Sequence, residues 1–98
     1  DAAVVVRSEM ERWRPSPADV VVADPPRTGL RKAGVERVVA TGAGVVVLVS
    51  CDAGSLGRDA GLLAEAGYRL ERVTLVDLFP HSHHVEVVSR FVRGQSAR

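Results

Sequence analysis

The sequence predicts an α/β fold with a mostly parallel sheet and an antiparallel last strand. Two apolar runs, Asp19-Val20-Val21-Val22-Ala23-Asp24 and Val45 to Ser50, read as strands, the first covered on both faces, as parallel strands between helices are. Helical patterns follow each run. The short connection from Phe79 to His84 leaves the two final apolar stretches little choice but to pair antiparallel.

In chain order, Val4-Val5-Val6 reads as a short strand. Ser8 with Glu11 forms a capping box for one helical turn, and Arg14-Pro15-Ser16-Pro17 is a loop. After the Asp19 to Asp24 strand, Pro25 and Pro26 stop the extended run. Val35, Val38 and Val39 lie on one side of a helix spanning about residues 31 to 40, with Gly42 and Gly44 past its end. Asp52 caps a second helix whose stripe is Leu56, Ala60, Leu63 and Ala66, closed by Gly67. Tyr68 to Leu78 and Val85 to Val92 read as the last two strands.

Composition narrows the function classes. The chain has 98 residues, one cysteine and a formal charge of +1. That is one small domain, with no internal disulfide and no strong electrostatic pull on nucleic acid. The basic residues are nearly all arginine, the better phosphate fork. No apolar leader or membrane span is evident, which points to the cytoplasm. The opening Asp1-Ala2-Ala3-Val4, without an initiator methionine, reads as the start of a fragment.

Ligands of such sheets bind outside the carboxyl ends of the strands. Cys51 directly follows one strand and precedes a helix, whose positive end favours a thiolate; taken alone, a single cysteine is more often a small buried hydrophobe. Asp24 ends the preceding strand, either as a turn former or as a ligand or hydrogen-bond acceptor, since burying it unpaired would be costly. Arg27 neutralises it or faces a phosphate. Arg58 assists the thiol or pairs with Asp59 on a solvated face, the structural role being preferred. Glu86 is an exposed strand residue or a general base on the same rim. Glu9 accepts hydrogen bonds from a ligand's amine or ribose, or belongs to its local turn. His81, His83 and His84 match no zinc signature, so no metal is expected.

Three segments carry a resemblance. Asp24-Pro25-Pro26-Arg27-Thr28-Gly29-Leu30, Val49-Ser50-Cys51-Asp52-Ala53-Gly54-Ser55-Leu56-Gly57-Arg58-Asp59, and Asp77 through Val88 resemble, in this order, motifs of the S-adenosylmethionine-dependent RNA (uracil-5-)-methyltransferases that act on tRNA or rRNA. Ala53 stands where the family usually has proline. The resemblance implies a partial Rossmann-like class I methyltransferase fold, with residues 1–98 forming the carboxy-terminal portion of the catalytic domain. It implies Cys51 as nucleophile and Glu86 as base, with Asp24 and Glu9 on the side of the cofactor, S-adenosyl-L-methionine.

The glycine-rich loop and the second-strand acidic residue of that family are not found, so an inactive fragment is expected. Of the family order 3-2-1-4-5-7-6, the chain supplies strands 3, 4, 5, 6 and 7, leaving an open edge on the Val20 to Ala23 strand. That edge is expected either to form a homodimer or to take up Val4 to Val6. A noncatalytic Rossmann-like binding or assembly module is the alternative reading. A cysteine-dependent hydrolase using a loop histidine is weaker, for want of an oxyanion hole.

Overall fold

A computed structural model describes residues 3–6, 14–76 and 86–94, with β1 described through its backbone. The elements are β1 (Ala3–Val6), β2 (Val20–Ala23), α1 (Arg31–Ala40), β3 (Val45–Ser50), α2 (Ala53–Glu65), β4 (Tyr68–Val76) and β5 (Glu86–Arg93). The capping turn expected at Ser8 and Glu11 lies outside the described residues.

The strands form one sheet in the order β1-β2-β3-β5-β4. The pairings β1–β2 and β2–β3 are parallel, whereas β3–β5 and β4–β5 are antiparallel. The sheet is therefore mixed, which corrects the mostly parallel arrangement expected. The alternation of strands and helices foretells crossovers but not neighbours. Here β5 returns antiparallel and inserts between β3 and β4, so its two ladders replace a parallel one.

The edge of β2 is occupied by β1, with Ala3 opposite Val20 and Val6 opposite Ala23. Of the two expected ways to satisfy that edge, the structure shows the first strand beside it. The ladder gives the backbone groups of β2 partners they would otherwise seek elsewhere.

Burial alternates along β2, which corrects the expectation that both of its faces are covered, and it alternates along β3 as well. Val21, Ala23, Val46 and Leu48 are inaccessible to solvent, while Val20, Val22, Val45, Val47 and Val49 are half-buried. Both helices pack on the buried face, where Val35, Val38 and Leu63 join these strand residues and Phe91 in one core. Among the described residues Phe91 is the largest fully buried side chain. Burying such a ring stabilises the fold by roughly 1.5–3 kcal/mol over leaving it exposed.

Both helices stop where expected. The residues beyond them, Gly42 at φ 74° and Gly67 at φ 99°, take the left-handed conformation that costs glycine least.

Candidate active site on one rim of the sheet

The carboxyl ends of β2 and β3 and the amino end of β5 lie on one rim, because β5 runs against β3. Asp24 directly follows β2, Cys51 directly follows β3, and Glu86 opens β5. The last recorded β3–β5 pair is Ser50 with Val87. Carried one residue further, that register sets Cys51 opposite Glu86. Cys51 lies in the bend just past β3, so the register brings a thiol and a carboxylate to neighbouring positions on the rim rather than into a ladder pair. On the other side, Ala23 pairs with Leu48, so Asp24 sits one strand away and somewhat lower on the rim.

Cys51 is exposed, and so is Asp24. The exposure of Asp24 corrects the expectation that its carboxylate meets a burial cost. Glu86 is half-buried. No hydrogen bond among the described residues joins the three. Glu9 and the segment from Asp77 to Val85, with His81, His83 and His84, lie outside the described residues. Among the described residues no cluster of metal-ligating side chains forms.

What holds Cys51 in place is the start of α2. Asp52 adopts the extended conformation of an N-cap, and its carboxylate accepts from the Ser55 N–H and the Ser55 hydroxyl, each at 2.8 Å. The Ser55 backbone hydrogen bond, then its side chain, holds the Asp52 carboxyl below its ordinary value, with Arg27 and Arg58 adding smaller contributions in the same direction. The cap thus fixes the residue beside Cys51.

The loop after β2 is fastened to the same helix. The Ser55 hydroxyl, which has one proton, lies 2.7 Å from the Arg27 carbonyl as well as near Asp52, and Arg58 donates to the Thr28 carbonyl. Asp59 accepts from the backbone N–H groups of Leu30 at 2.6 Å and Arg31 at 3.0 Å, and pairs with Arg58 at 3.3 Å. Arg58 is therefore structural, as expected. Asp59 is not on a solvated face: it is 1% exposed. Its place in the sequence carried a signal, because in a helix it falls three residues after Leu56 and four before Leu63, on the apolar stripe.

Gly29 is the second residue that sequence reasoning passed over. It sits at φ 84°, and a Cβ there would lie 2.4 Å from an Asp59 carboxylate oxygen and 2.7 Å from the Arg58 guanidinium. Only glycine lets the loop approach α2 this closely. A surface cavity of about 290 Å³ between α1 and α2, lined by Val35, Val39 and Leu62 with Lys32, Glu36 and Glu65, contains none of the three rim residues.

The arrangement joins an exposed thiol, a facing carboxylate and a second carboxylate one strand away. Sequence comparison decides which family it belongs to. The profile of the tRNA (uracil-5-)-methyltransferases matches residues 12–92. The chain belongs to that family. An uncharacterized RNA methyltransferase of Streptomyces avermitilis is 39% identical over 84 residues, covering 86% of the chain and 19% of that protein. The 23S rRNA (uracil(1939)-C(5))-methyltransferase RlmD of Pseudomonas aeruginosa is 43% identical over 82 residues, covering 84% of the chain and 18% of the relative.

Among solved structures, the Pyrococcus abyssi tRNA (uracil-54, C5)-methyltransferase in complex with S-adenosyl-L-homocysteine superposes with a TM-score of 0.70 at 34% identity, over 86% of this chain and 20% of that one. This member of the tRNA (uracil-5-)-methyltransferase family thus has the class I methyltransferase topology of its neighbour, and it spans about a fifth of the length of these relatives.

Proposed function

We propose that this chain forms the nucleophile-bearing, carboxy-terminal part of the catalytic domain of an S-adenosyl-L-methionine-dependent RNA (uracil-5-)-methyltransferase acting on tRNA or rRNA in the cytoplasm. The observation that supports it most is the β3–β5 register, whose pair Ser50 with Val87 has Cys51 as the next residue on one strand's exit and Glu86 as the preceding residue on the other. Uracil C5 is a weak nucleophile, and a thiolate and a base on facing strands supply what it lacks.

In this mechanism the Cys51 sulfur adds to C6, and the electron pair of the C5–C6 double bond moves toward C5 and O4 as an enolate. C5 then has the carbanion character needed to take a methyl group. Glu86 removes the C5 proton, the double bond re-forms, and the C6–S bond breaks to restore the free thiolate. The target base has to leave its stack to reach the rim.

The cofactor would supply an electrophilic methyl on a sulfonium and, when its S–CH3 bond breaks, would leave as the neutral thioether. Of the residues assigned to it, Glu9 lies outside the described residues, and Asp24 offers one exposed carboxylate. Among the described residues that single carboxylate does not make a cofactor site, and the sequence has no glycine-rich loop, so the chain alone is expected neither to bind the cofactor tightly nor to turn over. Titration of the 98-residue chain with S-adenosyl-L-methionine in a calorimeter tests this. Saturable binding at micromolar concentrations would contradict it.

The nucleophile is tested in a full-length family protein carrying this segment. RNA containing 5-fluorouridine has no C5 proton to lose, so the adduct stalls and survives denaturing electrophoresis. Cys51→Ala is expected to abolish the shifted band. Equal trapping by both proteins would remove Cys51 from its role. Among the described residues no helix is long and apolar enough to cross a membrane. A homodimer through an exposed sheet edge belongs to the same proposal, with the β2 edge already taken by β1.

A further inference from the structure

At the far side of the sheet, β4 pairs only with β5 among the described strands and leaves its outer row of N–H and C=O groups open. Its residues are also unusually apolar for their exposure: Leu70 is 49% exposed, Val73 48% and Leu75 69%. α2 packs against β4, yet of the strand's residues only Tyr68 is buried, at 3% exposure.

A bulge organises this edge. Leu70 pairs with Phe91 and Arg72 with Arg90, so Glu71 is the extra residue. Successive strand residues point to opposite faces. Beyond the bulge, Val73 pairs with Ser89 and Leu75 with Val87, and Phe91, Ser89 and Val87 alternate onto the helix-bearing face of β5. The bulge therefore puts Leu70, Val73 and Leu75 on one face despite their odd spacing. Glu71 pairs with Arg90, placing it on the other face with Arg72.

We infer that a second copy of this chain adds to the sheet at β4, antiparallel, about a two-fold axis between Glu71 and Arg72. In an uninterrupted strand, pairing residues an odd number apart brings opposite faces together. The bulge at the axis cancels that mismatch. Leu70 then lies beside Val73 of the partner subunit, Glu71 beside the partner's Arg72, and Arg69 beside the partner's Thr74, each pair on a shared face.

Both signs of charge meet at the centre, flanked by the exposed aliphatic residues. Bulges and charges usually guard an edge against indiscriminate pairing. Here they are self-complementary in a single register, and a two-fold contact closes on itself without growing into a filament. This inference deepens the homodimer of the proposed function by moving its contact from β2 to β4, and it holds whether or not Cys51 and Glu86 act as proposed.

Sedimentation equilibrium of the 98-residue chain tests it. The expected result is a concentration-dependent monomer–dimer equilibrium in the micromolar range. Val73→Lys should weaken it at least roughly tenfold, because a charge replaces an aliphatic cross-strand pair. Glu71→Arg should weaken it by setting arginines face to face, and Glu71→Arg combined with Arg72→Glu should restore it. Circular dichroism must show each variant folded.

A chain that is monomeric throughout that range overturns the proposal. So does a dimer whose association constant Val73→Lys and Glu71→Arg leave unchanged. Should both single variants unfold, amide exchange on the unaltered chain decides: protection of the Leu70 to Leu75 amides that rises with protein concentration supports the contact, and concentration-independent exchange overturns it.

Discussion

Asp59, in the middle of α2, accepts hydrogen bonds from the backbone N–H groups of Leu30 at 2.6 Å and Arg31 at 3.0 Å, so one helix caps the start of the other. The first N–H groups of a helix have no partner within it. Leu30 offers no side-chain cap of its own, and Arg31 takes a left-handed φ of 61°. The buried carboxylate of Asp59 answers both needs and ties the loop carrying Asp24 to the helix that follows Cys51.

Asp59→Ala is accordingly expected to destabilise the chain by about 2–4 kcal/mol, since two donors lose a charged acceptor in a dry environment. Asp59→Asn, which keeps one acceptor oxygen, should cost less. Urea titration checks both through the midpoint at unchanged slope. A loss below about 0.5 kcal/mol for the alanine variant, the range of ordinary surface substitutions, would contradict the capping role.

Gly29→Ala tests the same contact from the loop side. The positive φ strains any side chain, and the new Cβ would push against Asp59 and Arg58. A loss of about 1–3 kcal/mol is expected. Gly57→Ala is the control: it lies within α2, and nothing lies within 4 Å of the added methyl. That change should be neutral or stabilising.

Asp52 gives the account its pH dependence. Its carboxyl titrates below the ordinary 3.8 because the Ser55 N–H, then the Ser55 hydroxyl, favours the charged form. A folded-state pKa that is depressed contributes stability that is fully present above the unfolded value and lost as pH falls through the folded one. Asp52→Asn keeps an acceptor oxygen and removes the charge. The stability difference between wild type and this variant should be constant near neutrality, then shrink as pH drops below 3.8. Urea midpoints across acid pH measure it, and a difference that grows on acidification would reverse the sign.

Ser89 is the opposite case. It is fully buried between Leu48 and Val73, and its hydroxyl has no hydrogen-bond partner among the described residues. Ser89→Ala removes an unpaired polar group and should stabilise by about 1 kcal/mol, raising Tm by roughly 4–8 °C for a domain of this size. A fall in Tm would show that the hydroxyl is satisfied after all.

Local features were the most legible in the sequence. The Asp52 cap and the helix ends at Gly42 and Gly67 follow from short-range chemistry, and the structure has all three. The order β2-β3-β5-β4 was accessible through the family's strand order, whereas counting alternate strands and helices wrongly suggested a mostly parallel sheet. Asp59 was missed because a charged residue beside Arg58 looks like half of a surface pair. Its helical phase with Leu56 and Leu63 was the better guide. Nothing local marked Gly29 as the point of closest approach, since its neighbours Asp59 and Arg58 come from a helix beyond the next strand.

The most direct test of the account is the fate of the adduct when the base is removed. In a full-length family protein carrying this segment, Glu86→Gln is expected to slow turnover by about 10²–10⁴-fold, the usual worth of a positioned base. With ordinary uridine RNA and S-adenosyl-L-methionine, it should also leave a protein–RNA adduct through Cys51 whose base carries the added methyl, visible by intact mass. A folded Glu86→Gln protein that turns over at the wild-type rate, or that accumulates no methylated adduct, would contradict the pairing of Cys51 with Glu86 across the rim.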